Sequence, residues 1–206
     1  MRLTKSNVGL KTVQNLTKTD IKMKNVILFA LFFSIGKTAS SQVFLAKDKS
    51  AQISFFSETP MENIDAKSDA VTSIYNSSND SIIVKVQITT FVFPKSLMQE
   101  HFNENYLESS KYPFSVLRGK LNKKIDATID GDNMVTCTAN LTIHGVTQPV
   151  VLSGNMKVSQ GKLILDSKFL LKLADYDVKI PKLVVQNIAE SLEVKMHATY
   201  SPYVKK

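Results

Sequence analysis

Four segments in the second half of the chain alternate apolar and polar residues with a period of two, and nothing else in the sequence constrains the fold as tightly. Val135, Cys137, Ala139, Leu141 and Ile143 are interleaved with Met134, Thr136, Thr138, Asn140 and Thr142. Val150, Leu152, Gly154, Met156 and Val158 follow, then Leu163, Leu165, Ser167, Phe169, Leu171 and Leu173, then Leu192, Val194, Met196, Ala198 and Tyr200. Successive residues of a strand point to opposite faces, so each segment is predicted as a strand with one buried and one wet side. Strands of this kind in series make an antiparallel sheet wrapped round a core or round a cavity.

The earlier part of the chain extends the pattern. Residues 52–57 and 66–75 read as the first two strands with Thr59-Pro60 breaking between them, the second polar enough for an edge or bulged strand. Residues 81–91 form a strong strand, with Ile82, Val84, Val86 and Ile88 inward and Lys85, Gln87 and Thr89 outward, ended by Pro94. The period then changes: Leu97, Met98, His101, Phe102, Asn105 and Tyr106 fall at helical spacing, which predicts a short helix within 95–107. Tyr112-Pro113 opens a strand from Phe114 to Leu121 whose parity is ambiguous. Asp130-Gly131, His144-Gly145 and Ser159-Gln160-Gly161 are turn signals, and 175–189, with Pro181, is a longer connection carrying a helical turn. About eight strands on mostly short loops give an all-β chain, a barrel or a sandwich, with one helical insertion.

The formal net charge of +8 suggests nucleic acid until its placement is considered. Up to Ser41 there are seven basic residues against Asp20 alone, and beyond that point 19 basic residues face 17 acidic ones. A nearly neutral body lacks the concentrated basic face that nucleic acid requires. The basic N-terminus has another reading. Lys22 and Lys24 flank Met23, an apolar run extends from Val26 to Ile35, and Ala39-Ser40-Ser41 precede Gln42. Basic, apolar and then small-x-small is the order of a secretory signal peptide, and the run is too short to span a bilayer comfortably. We expect 1–41 to be an N-terminal extension and signal peptide starting at Met23, cut between Ser41 and Gln42, with 42–206 as the exported domain. Residues 1–22 are either an extended basic region or an unused upstream start.

Motifs for chemistry are sparse. Cys137 is the only cysteine, so no intramolecular disulfide forms, and its inward parity makes it a small buried hydrophobe. No nucleophile elbow, metal-binding histidine pair or glycine-rich phosphate loop occurs, so neither a catalytic residue nor a metal or cofactor is assigned. His144 has no further ligand at suitable spacing and fits the turn it occupies, where its imidazole can bond the backbone. His197 lies on a wet face by parity, and His101 lies on the helical segment.

The apolar content carries the remaining signal. Large inward residues can interdigitate with the small inward ones, Ala139, Gly154, Ser167 and Ala198, to pack a core, or the small ones can leave room for a ligand, and parity alone is compatible with both. The residues nominated to line such a space are Phe55, Val84, Val86, Ile88, Ala139, Leu141, Leu152, Phe169, Leu171, Val194 and Met196 from the strands. Phe102 and Tyr106 join them from the helical segment, Phe114 from the start of the next strand and Tyr176 from the late connection.

The run from Leu141 through Thr142-Ile143-His144-Gly145-Val146-Thr147-Gln148 to Pro149-Val150 resembles the LTxHGVTxPV hairpin of the YceI-like family of bacterial lipid-binding proteins. Met98-Gln99-Glu100-His101-Phe102 followed by Tyr112-Pro113 resembles that family's helix-to-strand segment, with Met98-Gln99 in place of its usual Arg-Asp pair. The resemblance extends over roughly 51–200. It implies an eight-stranded antiparallel up-and-down barrel, lipocalin-like, with an elongated apolar channel in a periplasmic or secreted protein. The implied ligand is a long-chain isoprenoid or fatty amphiphile, with transient membrane contact and no nucleic acid.

Non-enzymatic binding, transport or sequestration of such a lipid is the expectation. A hydrolase or isomerase acting on it would need a buried acid–base pair that the sequence does not display. A ligand-free interaction module would need an exposed apolar patch, and Lys85, Lys157, Lys168 and Glu193 at outward positions oppose one.

Overall fold

The computed structural model describes residues 42–58, 63–179 and 191–203. The expected leader, the Thr59-Pro60 break and the Pro181 stretch lie outside the described residues. Among the described residues there are ten strands: β1 (Val43–Lys47), β2 (Ala51–Ser57), β3 (Ile64–Ser68), β4 (Val71–Asn76), β5 (Ser81–Gln87), β6 (Phe114–Leu121), β7 (Met134–Ile143), β8 (Val146–Ser159), β9 (Lys162–Lys172) and β10 (Ser191–Pro202). A short helix, α1 (Ser96–His101), continues into a wider π turn over Phe102–Tyr106.

The ten segments make a closed eight-stranded antiparallel barrel because two barrel strands are bent. β1 and β2 are one strand interrupted by a 3-10 turn at Asp48–Ser50, and β10 pairs with both, through Leu45↔Ser201 and Ala51↔Ala198. β3 and β4 are likewise one strand, broken at Asp69-Ala70, with β4 against β1 and β3 against β2. β5 bends at a neighbouring 3-10 turn, Ile88–Thr90, after which Val92 bridges Lys67 on β3. The five-residue β1 is not among the strands expected from sequence because its alternation is short, whereas the break in the second strand fits its weak pattern.

The parity read from sequence holds through the wall. Ile82, Val84, Val86 and Ile88 are buried while Lys85, Gln87 and Thr89 are exposed, and Leu163, Leu165, Val194 and Met196 are also buried. One end of the barrel is packed solid by Phe44, Tyr75, Met156, Val158, Leu163 and Tyr200, each nearly inaccessible. The Ser73 hydroxyl donates to the Ile83 carbonyl (3.3 Å), and Tyr200 completes the network with its hydroxyl 2.6 Å from Ser73. A buried phenol is tolerable only with such a partner.

Two-residue turns at His144-Gly145 and Gln160-Gly161 join β7 to β8 and β8 to β9, each with both residues at positive φ. That backbone matches the twist of a hairpin, and Gly145 is needed for a second reason: a Cβ there would lie 2.5 Å from the Tyr112 ring. The two turns fix which backbone edge each residue of β8 presents. Odd-numbered positions face β9, so the missing N–H of Pro149 lies on the β9 side. The β8–β9 ladder stops early, pairing Ser159↔Lys162 through Gly154↔Ser167 and no further, so that Pro149 falls on an unpaired edge. Where the Lys168 N–H would next bond the Ser153 carbonyl, the Ser167 hydroxyl takes that carbonyl instead (2.7 Å).

Candidate ligand cavity

Above the packed end the inward side chains leave a cavity of about 160 Å³ running toward the other end of the barrel. Strand alternation builds its wall: β5 contributes Val84 and Val86, β7 Cys137 and Leu141, β8 Leu152 and Gly154, β9 Ser167, Phe169 and Leu171, and β10 Val194 and Met196. Ser115, Ser153, Ser167, Cys137 and Tyr176 are the lining residues with polar side chains, and none of the lining residues is charged. Burial pushes the Cys137 thiol above its ordinary range, so it contributes as a neutral packing group.

Of the residues nominated from sequence, Phe55, Val84, Val86, Ile88, Phe102, Leu141, Leu152, Phe169, Leu171, Tyr176, Val194 and Met196 lie together on this lining. Three do not. Phe114 is 40% exposed on the outer face of β6, where the Lys85 ammonium sits 3.6 Å from its ring centre; the pairing with Gln87 turns it outward, the parity the sequence left ambiguous. Ala139 is buried opposite Gly119, where a Cβ added to the glycine would lie 2.5 Å from its own, so it fills wall rather than space. Tyr106 is half-buried against the core outside the lining. Ala198, the other small inward residue, packs at the solid end and is fully buried; Gly154 and Ser167 alone of that group border the cavity.

The far end, the mouth, is covered from one side by an aromatic cluster. Phe102, at the start of the π turn, packs on Phe55, Phe91 and Phe93 with ring centroids 5.0–5.7 Å apart. Such contacts add to the burial of large apolar rings. His101 beside it is exposed and off the lining. The other side is closed by a 3-10 turn, Leu173–Tyr176, whose Leu173 and Tyr176 face the cavity.

His144 ties these pieces together. Its Nε2 lies 2.7 Å from the Glu108 carboxylate and its Nδ1 3.2 Å from the Tyr176 carbonyl, while the Tyr112 ring meets it edge-on at 4.7 Å. Gln148 donates to the Asp175 carbonyl nearby (2.9 Å). The imidazole therefore does bond backbone, but that of a distant turn rather than its own. The hydrogen bond from His144 holds the Glu108 carboxyl below its ordinary range, with smaller help from Lys111 and Lys179. Both Glu108 and His144 adopt positive φ, so the contact is held by strained backbone on each side. The carboxylate–imidazole pair spans 36 positions of sequence and had no signal there; the two adjacent positive-φ turns form it.

This pair is partly exposed rather than the buried acid–base pair that lipid chemistry would need, and its geometry suits pinning. Both ring nitrogens are engaged, by Glu108 and by Tyr176, which leaves neither free to take a proton from a molecule in the cavity. Among the described residues, no three His, Cys, Asp or Glu side chains come together as a metal site. His197 is exposed and pairs with Asp166 at 2.7 Å on the outer wall. Among the described residues no helix is long and apolar enough to cross a membrane.

The family model for the YceI-like domain matches residues 35–200, nearly the full barrel. The chain belongs to the YceI-like family. Solved structures agree on the fold at low sequence identity. A polyisoprenoid binding domain from Saccharophagus degradans, implicated in plant cell wall breakdown, superposes with a TM-score of 0.67 at 13% identity, covering 80% of this chain and 100% of that one. BcnA of Burkholderia cenocepacia gives 0.61 at 12% identity, covering 73% and 96%. A YceI protein of Campylobacter jejuni gives 0.56 at 14% identity, covering 72% and 90%. No curated protein matches the chain in sequence. At these identities the likeness of this YceI-like chain to its neighbours is one of fold.

Proposed function

We propose that this YceI-like protein binds the tail of a long-chain isoprenoid or comparable amphiphile and carries or sequesters it in the cell envelope, without chemistry. The observation that supports this most is the cavity's composition: thirty lining residues with no charge among them, solid at one end and closed at the other by aromatic rings rather than by paired strands. Each methylene moved from water into such a space contributes roughly 0.8 kcal/mol. Recognition by an apolar wall is tolerant of tail chemistry, so selectivity falls to tail length and to the polar rim, where Tyr176 and the Glu108–His144 pair stand. The neighbour from Saccharophagus degradans carries a name of the same ligand class.

A cavity of about 160 Å³ is close to the size that accommodates benzene. It receives the end of a tail, and a longer one must displace Phe102 and its neighbours or lie beyond the wall. The exported form would begin at Gln42, after removal of the leader.

Export can be checked by N-terminal sequencing of the secreted product. The ligand is tested by extracting the purified protein with organic solvent and identifying the extract by mass spectrometry, alongside direct titration with polyprenols of increasing length. A prenyl or fatty amphiphile in stoichiometric amount is the expected result. An empty extract together with no saturable binding of any polyprenol would leave the barrel without this role.

A further inference from the structure

Along half its length β8 pairs with β7 alone and has no partner on its β9 side. From 147 to 153 its odd-numbered backbone groups face β9, yet the ladder to β9 has already ended at Gly154↔Ser167. The facing stretch of β9, 168–172, pairs only on its other side, with β10, through Ser191↔Lys172 to Lys195↔Lys168. The barrel wall is thus open along a seam that runs from the Ser153–Ser167 hydrogen bond to the Gln148–Asp175 hydrogen bond. The cavity reaches this seam. Ser153 points outward and is exposed, yet it lines the cavity together with Leu152 and Phe169 from the two sides. Leu152, Phe169 and Leu171 face inward but are only half-buried, unlike their counterparts on β5 and β10.

The outer rim of the seam is unusual for a wet face. Continuing the register of the paired half sets Val151 opposite Leu170 across the seam, both outward, at 70% and 75% exposure. In the sequence neither stands out, because each sits between apolar neighbours, Val150 and Leu152 or Phe169 and Leu171. The charged residues on the two strands along this stretch, 147–153 and 168–172, are Lys168 and Lys172, with no acid between them. Lys168 reaches back to Glu193 (2.7 Å), and Lys172 is exposed. Exposed aliphatic side chains flanked by lysines on a neutral backdrop are suited to an anionic lipid–water interface, where the aliphatic groups enter the acyl boundary and the lysines meet headgroups.

We propose that the β8–β9 seam is the face by which the protein docks on an anionic bilayer, with Val151 and Leu170 inserted and Lys172 on the headgroups. Docked so, the cavity opens sideways toward the membrane, and the length of tail that the cavity does not hold lies between the two strands. This last step rests on the lipid-binding reading above; the docking itself does not.

The test is co-sedimentation of the purified protein with vesicles of phosphatidylcholine alone and of phosphatidylcholine mixed with phosphatidylglycerol. Binding should require the anionic lipid and weaken with added salt. Combining Val151→Ser with Leu170→Ser should weaken it about tenfold or more. Lys172→Gln should cost about fivefold, and Lys85→Gln, on the opposite wall, should cost nothing. In a Cys137→Ser background, an environment-sensitive fluorophore on Leu170→Cys should shift to the blue with anionic vesicles, while one on Lys85→Cys should not. Equal shifts at the two positions, or sedimentation indifferent to the Val151 and Leu170 changes, would overturn the proposal. So would a dimer that those same changes dissolve, because the seam would then be an interface between two copies. If vesicles bind as expected but the protein never yields or takes up a polyprenol, the docking face stands and the cavity reading fails.

Discussion

The two ends of the barrel are built from similar residues to opposite purposes. At the solid end Tyr75 and Tyr200 are buried outright, and their hydroxyls go to Asp80 at 3.1 Å and Ser73 at 2.6 Å. At the mouth the large rings are Phe102, Phe55, Phe91 and Phe93, which touch each other and carry no hydrogen bond, while the polar fastening is a separate, partly exposed pair, Glu108 and His144. Rings anchored by hydrogen bonds fix one arrangement; rings that touch only by dispersion can be exchanged for a tail at little cost. The difference separates a foundation from a stopper.

The largest effect should come from removing the foundation. Tyr200→Ala vacates a fully buried ring and strands Ser73, and should destabilise the protein by about 3–5 kcal/mol, read as a fall in urea midpoint. Phe102→Ala at the mouth should lose far less stability and change lipid exchange instead. Equal losses at both ends would erase the contrast.

Titration separates the ends in a second way. Burial, with the Asp80 charge behind it, pushes the Tyr75 phenol up to about 12 from 10.0. Its folded value is raised, so its stabilisation is complete below the ordinary phenol value and is lost as pH rises toward the folded one. The loss amounts to about 2–3 kcal/mol across that window. Glu108 is the reverse case. Its folded value is lowered by His144, so its contribution is present above the ordinary carboxylate range and disappears as pH falls through the folded value. Alkali should therefore unfold the barrel cooperatively, while acid should first release the mouth, seen as faster exchange of bound lipid before circular dichroism changes. Acid release surviving in His144→Gln would sever the mouth from this pair.

The smallest and sharpest comparison uses two positions on β10. Ala198→Phe enters the solid end and should destabilise by about 1–3 kcal/mol. Val194→Phe enters the cavity wall and should lower polyprenol affinity while the delipidated protein keeps its melting temperature. A large stability loss from Val194→Phe would mean that the space is core after all.

The sequence carried the barrel because period two survives in single strands: Ile82 to Ile88 and Leu192 to Tyr200 each declare their buried side without reference to a partner. It carried most of the lining for the same reason. What escaped depends on relations between segments. Phe114 turned outward because its register on β5 decided its parity, and Glu108 met His144 because two turns delivered them from distant positions. The seam is of this kind too. Pro149 was its one visible sign, since a proline within a strand flanked on both sides by others argues that one of those flanks is missing.

That proline also bears on how the protein survives at high concentration. A barrel normally owes its solubility to having no free strand edge, and an opening in the wall restores one. The odd-numbered edge of β8 would invite the strand of a neighbouring molecule, the first step of a sheet that grows without limit. Pro149 interrupts that edge by withholding a donor, and Lys168 and Lys172 oppose a like-charged copy on the other side. Replacing the proline with valine would complete the edge, and the expected price is paid in aggregation, not in the stability of the single chain.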